Sequence, residues 1–85
     1  MEQKLNEIRE KIEGPMEKMN IIVDSVAYEV EGNINFLRIV LDKVNGIDLD
    51  TIVEATNVIN PIIDTFDFVD DSYILDIISK EKGDV

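Results

Sequence analysis

Hydrophobic residues recur at helical spacing in the first part of the chain. Five of them fall three or four positions apart and share one stripe of an amphipathic helix; they are Leu5, Ile8, Ile12, Met16 and Met19. Gly14 and Pro15 lie inside this pattern. Because proline removes a helical hydrogen bond, we expect either a kink or two short helices. The stripe continues in phase across the break, which favours the kink.

Two runs of alternating apolar and polar residues follow, at residues 25–31 and 36–42. Period-two alternation with β-branched and aromatic residues predicts two strands. Gly32 and Asn33 stand between the runs, and both residue types tolerate the positive φ of a tight turn. The two strands are therefore predicted to form an antiparallel hairpin.

A second helix is predicted after Asp48, which has the residue type and position of an N-cap. Its apolar stripe runs through residues 49–63, and Pro61 predicts an end near Asn60 or a kink at that point.

Residues 64–72 form an acidic stretch that we expect to be a loop held to the core by its apolar members, Phe66, Phe68 and Val69. Residues 73–78 then predict a mostly buried third strand.

The predicted order of elements is helix, strand, strand, helix, strand. This order favours an α+β fold of two layers, a three-stranded sheet with both helices on one face. A helix between the second and third strands allows them to be parallel. We expect residues 1–79 to form one domain and residues 80–85 to be a tail or the start of an interdomain linker.

Length and composition limit the functional classes. The chain has 85 residues, enough for a single domain, and its 45% hydrophobic content is typical of a folded protein. It has no His and no Cys, which excludes thiolate metal sites and Ser-His-Asp or Cys-His catalysis within it. No apolar run approaches the roughly 20 residues that span a bilayer. We expect a cytoplasmic, non-enzymatic binding protein without a metal, a cofactor, a small-molecule substrate or a membrane partner.

The charge is concentrated in the middle of the chain. There are 19 acidic and 8 basic residues, a net charge of −11. Residues 20–79 hold twelve acids but only two bases, Arg38 and Lys43, so they carry ten of the eleven net negative charges. Binding to a nucleic-acid backbone relies on clustered Lys and Arg. The acidity therefore favours a basic protein partner, or simply solubility.

Three motifs suggest a chemical function that the surrounding residues do not support. An EF-hand loop with its glycine at Gly46 would need oxygen ligands at Leu41 and Ile52, so it fails. Neighbouring acids such as Asp48 and Asp50 are abundant and are best interpreted as surface charges. Asp24-Ser25-Val26 resembles the serine motif of acyl carrier proteins, but in that family the serine opens a helix, whereas here it enters an alternating segment.

Arg38 is the more informative charge, since it stands within a strand in a region nearly without bases. It could contact a partner on an exposed sheet face. The alternative, which we favour, is pairing across the sheet with a carboxylate such as Glu29 or Asp76.

Several stretches together resemble the N-terminal domain of the ribosome maturation factor RimP. That family reads V-D-V-E-Y, a glycine turn, W/F-L-R-V-Y-I-D-K, G-V-T-L-D-D and Y-x-L-E-V-S-S-P-G. The matching stretches here are Asp24-Ser25-Val26-Ala27-Tyr28, Glu31-Gly32, Phe36-Leu37-Arg38-Ile39-Val40-Leu41-Asp42-Lys43, Gly46-Ile47-Asp48-Leu49-Asp50 and Tyr73-Ile74-Leu75-Asp76-Ile77-Ile78-Ser79. Ser25 and Ala27 depart from the acids common in the family, and Ile78-Ser79-Lys80-Glu81 replaces the S-S-P-G end.

The resemblance implies a non-enzymatic assembly factor for the small (30S) ribosomal subunit. Its members associate with a basic ribosomal protein near the decoding centre and act near the 16S rRNA. They continue into an Sm/SH3-like β-barrel, so we expect this chain to be an N-terminal domain of a longer protein or a shortened relative. An acyl-carrier-like protein modified at Ser25, or an acidic interaction module unrelated to ribosomes, remain the alternatives.

We expect the partner-binding residues to be charged and to lie mainly at one end of the sheet. The candidates are Arg38, Asp42, Lys43, Asp48, Asp50, Asp70 and Asp71.

Overall fold

The computed structural model describes residues 2–66 and 72–80. Its elements are α1 (Glu2–Lys18), β1 (Ile22–Glu31), β2 (Ile34–Asp42), α2 (Leu49–Ile63) and β3 (Ile74–Ser79). The strand order is β1-β2-β3, with β1 antiparallel and β3 parallel to β2. The predicted α+β class and the order α-β-β-α-β are therefore confirmed.

The β1–β2 hairpin is closed by a two-residue turn. Glu31 pairs with Ile34, and Gly32 between them has a φ of 63°. Glycine is the residue that adopts this left-handed conformation without steric cost. Earlier in β1 the register shifts between Val23 and Ser25, so a β-bulge changes which residues of β1 face the helices.

The hydrophobic core lies between one face of the sheet and both helices. The central strand contributes Leu37, Ile39 and Leu41, all with 0% exposure. They join one buried cluster with residues of α1 and α2, namely Ile8, Ile12, Met16, Ala55, Ile59 and Ile63. Since alternate residues of a strand point to opposite faces, the helices cover a single face. We call the other side of the sheet the open face.

Both proline-containing helices continue past their prolines. α1 is one helix through Pro15, so two separate helices do not form. The predicted end of α2 near Asn60 is wrong, because the helix extends to Ile63 and the Asp64 N–H donates to the Asn60 carbonyl at 3.0 Å. Proline removes one helical hydrogen bond and crowds the preceding turn, and the burial of Ile63 in the core offsets this cost.

The first strand starts earlier than the alternation predicted. α1 closes with Asn20 in the left-handed region, at a φ of 62°, and the Ile21 N–H donates to the Met16 carbonyl at 2.9 Å. Ile21 and Val23 are buried, so the sheet begins at once after the helix. The bulge hides this start, because it interrupts the period-two pattern.

The third strand lies at the sheet edge and is less buried than we predicted. Ile74 and Ile78 are 49% and 37% exposed, because they point to the open face. In the preceding loop Phe66 packs against the core as expected, whereas Phe68 and Val69 lie outside the described residues. No helix in the described ranges is long and apolar enough to cross a membrane.

Candidate partner-binding surface

Arg38 lies at the centre of the open face and is held by three carboxylates. Its Nε donates to Asp76 Oδ2 at 2.9 Å, and its Nη1 donates to Glu31 Oε2 at 3.3 Å and also to Glu29. Asp76 lies directly opposite Arg38 in the β2–β3 register. The favoured interpretation, an arginine paired across the sheet with Glu29 or Asp76, is confirmed. Glu31 is a third partner that the sequence analysis missed.

The ring of Phe36 supports the arginine from the same strand. The guanidinium carbon lies 5.1 Å from the ring centroid, within the distance of a cation–π contact. The hydrogen bond to Asp76 is the main cause that raises the pKa of Arg38; desolvation opposes it, and the other two carboxylates add to the rise. The arginine is therefore permanently charged and fixed in orientation, with a side chain 24% exposed.

The carboxylates outnumber the cation in this cluster. One guanidinium and three carboxylates give a formal net charge of −2 (+1 − 3). Ion pairs of this exposure add little to stability, but they fix the carboxylates in one arrangement. A negative, ordered patch of this kind can attract and orient a positively charged partner.

Apolar residues surround the charged cluster on the open face. Ile34 and Ile74 lie side by side at one end of the sheet, with 48% and 49% exposure, and Ile78 lies toward the other end. Nothing among the described residues covers this face, which mixes apolar side chains with fixed negative charge. This face therefore offers a partner both apolar contacts and negative charge, although its charges lie at the centre and not at the rim, where polar groups of protein–protein interfaces are usual.

A second acidic group lies at the end of the sheet where β2 leads into α2. Asp42 closes β2 and accepts a hydrogen bond from the Lys43 N–H at 2.8 Å. The Gly46 N–H then donates to the Lys43 carbonyl at 2.9 Å, and Gly46 has a φ of 86°. This tight turn returns the chain to the helical layer, so Asp42 and Lys43 lie near the start of α2.

Asp48 caps α2, as the sequence predicted. Its Oδ1 accepts a hydrogen bond from the Thr51 N–H at 2.8 Å. A hydrogen bond with the Thr51 side chain, then this backbone bond, and to a smaller extent the positive charge of Lys43, lower the pKa of Asp48. Asp50 lies in the first turn of the same helix, exposed to solvent. Both carboxylates complement the positive end of the helix dipole, so they also have a structural role.

The predicted site residues thus fall into two groups. Asp42 ends β2 and Lys43 follows it, whereas Asp48 and Asp50 stand at the start of α2, where Lys43 acts on the pKa of Asp48. Arg38 lies apart from them in the middle of the open face. Asp70 and Asp71 lie outside the described residues.

Three members of the open face were not on our list of candidate residues: Glu29, Glu31 and Asp76. The register of a hairpin with a two-residue turn places the first two on the same face as Arg38, so the predicted hairpin could have found them. The parallel register of β3 was needed for Asp76.

The two charged groups offer carboxylates and hydrogen-bonding groups to a partner. No group of three acidic residues in the described part of the chain is arranged to hold a metal ion.

Ser25 lies within β1, opposite Val40. The acyl-carrier alternative needed a serine at the start of a helix in an all-helical bundle, so the structure removes its basis.

Comparison with known families identifies the fold. The model of the RimP N-terminal domain matches residues 11–80. The match includes both strands of the hairpin, the α2 cap and the parallel third strand. The chain belongs to the RimP N-terminal domain family, which is a family of ribosome maturation factors.

Proposed function

We propose that this domain is a non-enzymatic binding module that engages a basic protein of the maturing small ribosomal subunit in the cytoplasm. The family match carries the ribosomal part of the proposal. The charge distribution favours a basic protein over free rRNA as the partner, because residues 20–79 hold twelve acids and two bases and repel the phosphates of rRNA. Any contact with 16S rRNA would then need the basic protein or another domain beside this one.

The two acidic groups are suited to different parts of this task. The carboxylates around Arg38 are fixed by hydrogen bonds and lie among exposed apolar residues, which suits close contact. Asp48 and Asp50 stand at the start of α2, where Lys43 is the base that acts on the pKa of Asp48. Charges in such a position speed diffusional encounter with an oppositely charged partner. We therefore expect the sheet-end acids to affect the association rate more than the dissociation rate.

Co-sedimentation with ribosomal particles tests the ribosomal part. The domain should sediment with free small subunits and not with assembled ribosomes. Equal recovery with both particles, or with neither, would contradict the proposed role. Recovery with a basic protein unrelated to ribosomes, but not with the subunits, would support the alternative of a general acidic interaction module.

A pair of charge-neutralising variants tests the acidic surface. Asp48→Asn with Asp50→Asn removes two charges while keeping a residue type that caps helices well. The matched control, Glu2→Gln with Glu7→Gln, removes two exposed charges from the first half of α1, at the opposite end of the helix from the residues that lead into β1 beside the sheet end. Association with the basic small-subunit protein should slow in the first variant and stay near the original rate in the control. Equal effects in both would show that only total charge matters.

A further inference from the structure

A small pocket lies between the start of α2 and the end of β3. Its volume is about 210 Å³, below the roughly 300–1,000 Å³ of most small-molecule sites. The walls are mainly apolar and include Leu49, Ile52, Ile77 and Ile78, with Asp48 and Ser79 as polar members. A pocket of this size suits a single side chain of a partner.

Ser79 gives this pocket an unused polar group. The residue is 5% exposed and lies opposite Leu41, so its side chain is on the core face of β3. Within the described part of the structure its hydroxyl has no hydrogen-bond partner. Buried polar groups are nearly always paired, and an exception indicates either strain or a group that arrives from outside. A ligand that forms a hydrogen bond with the Ser79 hydroxyl would give this buried group the partner that it lacks among the described residues.

The polar groups at the pocket favour a positive charge. Asp48 lines the pocket, its lowered pKa keeps it ionised at neutral pH, and Asp50 lies in the same helical turn. The helix dipole contributes roughly half a positive charge here, and Lys43 contributes one more from the preceding turn. Two carboxylates therefore leave the site negative overall, so an anion is disfavoured.

We propose that this pocket receives one cationic side chain, an arginine or a lysine, from the basic protein partner. Its methylene groups would pack against Leu49 and Ile52, as long cationic side chains do on apolar surfaces. Its charged end would pair with Asp48. Rotation of the Ser79 side chain about its Cα–Cβ bond would turn the buried Oγ toward the pocket, where it would accept a hydrogen bond from the cation. This inference rests on the proposed function for the source of the side chain, but the pocket can be tested without the ribosome.

Titration with a short peptide, followed by NMR amide shifts of the domain, tests the pocket directly. The probe is an acetylated and amidated Gly-Gly-Arg-Gly-Gly peptide, and the control carries citrulline, a neutral analogue of arginine. The arginine peptide should shift the amides of Leu49, Ile52 and Ser79, and citrulline should bind about tenfold more weakly or worse. Equal binding of the two peptides, or arginine-induced shifts confined to other surfaces, would overturn the inference.

Variants at two serines separate the hydroxyl from other effects. Ser79→Ala should weaken binding of the arginine peptide by about tenfold, the loss expected for one hydrogen bond to a charged group. Ser72→Ala, at an exposed serine before β3, should leave it unchanged. An unaltered affinity of the folded Ser79→Ala domain would overturn the assigned role of the hydroxyl.

The same variants separate this inference from the proposed function. If the basic small-subunit protein binds the original domain and Ser79→Ala equally well, the pocket inference fails and the proposed function stands. If the arginine peptide occupies the pocket but the ribosomal protein and the free subunit do not bind, the pocket stands and the proposed function fails.

Discussion

Removing the Ser79 hydroxyl should make the domain more stable. Ser79 is 5% exposed, and its hydroxyl has no partner among the described residues. A buried, unpaired polar group costs about 1–3 kcal/mol relative to an apolar group in its place. Ser79→Ala removes that cost and leaves the backbone pairing of β3 with β2 unchanged.

We expect a gain near the lower end of this range, about 1 kcal/mol, because alanine also enlarges the adjoining pocket slightly. The total stability of an 85-residue domain is about 4–13 kcal/mol, so this gain is measurable. In a domain of this size 1 kcal/mol raises the Tm by about 4–8 °C. Thermal and urea unfolding followed by circular dichroism give both quantities.

Ser72→Ala is the matched control, since Ser72 is exposed and surface changes stay within about 0.5 kcal/mol. A Tm for Ser79→Ala at or below that of the original protein would refute the reasoning. It would show that the hydroxyl is paired in solution. A raised Tm together with weaker arginine-peptide binding would instead show that the hydroxyl is kept for a ligand at the expense of stability.

Three further substitutions test the core, the cap and the open face. Ile39→Ala, at a fully buried position of the central strand, should cost about 2–5 kcal/mol in urea unfolding; a loss below 1 kcal/mol would contradict the core assignment. The pKa of Asp48 is lower in the folded domain than its ordinary 3.8. The ionised carboxylate therefore contributes fully to the free energy of unfolding above pH 3.8, and this contribution is lost as the pH falls through the folded pKa. Stability of Asp48→Asn measured from neutral pH to pH 3 should therefore fall less steeply than that of the original protein, and parallel curves would argue against the cap hydrogen bond. Arg38→Met leaves three carboxylates facing each other without a cation, so it should lower the Tm at neutral pH. The Tm should fall less in acid, because protonated carboxylates do not repel each other. An equal fall of the Tm at both pH values would exclude charge repulsion as the cause.

Most of the fold could be predicted because each element has a local signal. The alternation around Arg38 predicted β2, the residue types at Gly32 and Asn33 predicted the hairpin, and Asp48 predicted the start of α2. These signals depend on neighbours along the chain, where spacing and turn chemistry act directly. The confirmed pairing of Arg38 followed from them, since Glu29 and Asp76 belong to the two other predicted strands and can face Arg38 across the sheet.

What could not be predicted depends on tertiary packing. α2 continues beyond Pro61 because Ile63 is buried against the sheet, and no local rule contains that contact. The early start of β1 is hidden by a bulge. The exposure of Ile78 depends on which face of the sheet the helices cover. The burial of the Ser79 hydroxyl without a partner among the described residues depends on the fit between α2 and β3.

The most direct test of the proposed function is the salt dependence of binding between this domain and the purified basic small-subunit protein. Isothermal titration calorimetry from about 50 mM to about 500 mM NaCl covers Debye lengths from above 10 Å to a few Å. If the acidic surface recognises the partner, Kd should rise by about tenfold or more over this range. A Kd that does not change with salt, or the absence of binding at low salt, would contradict the central claim.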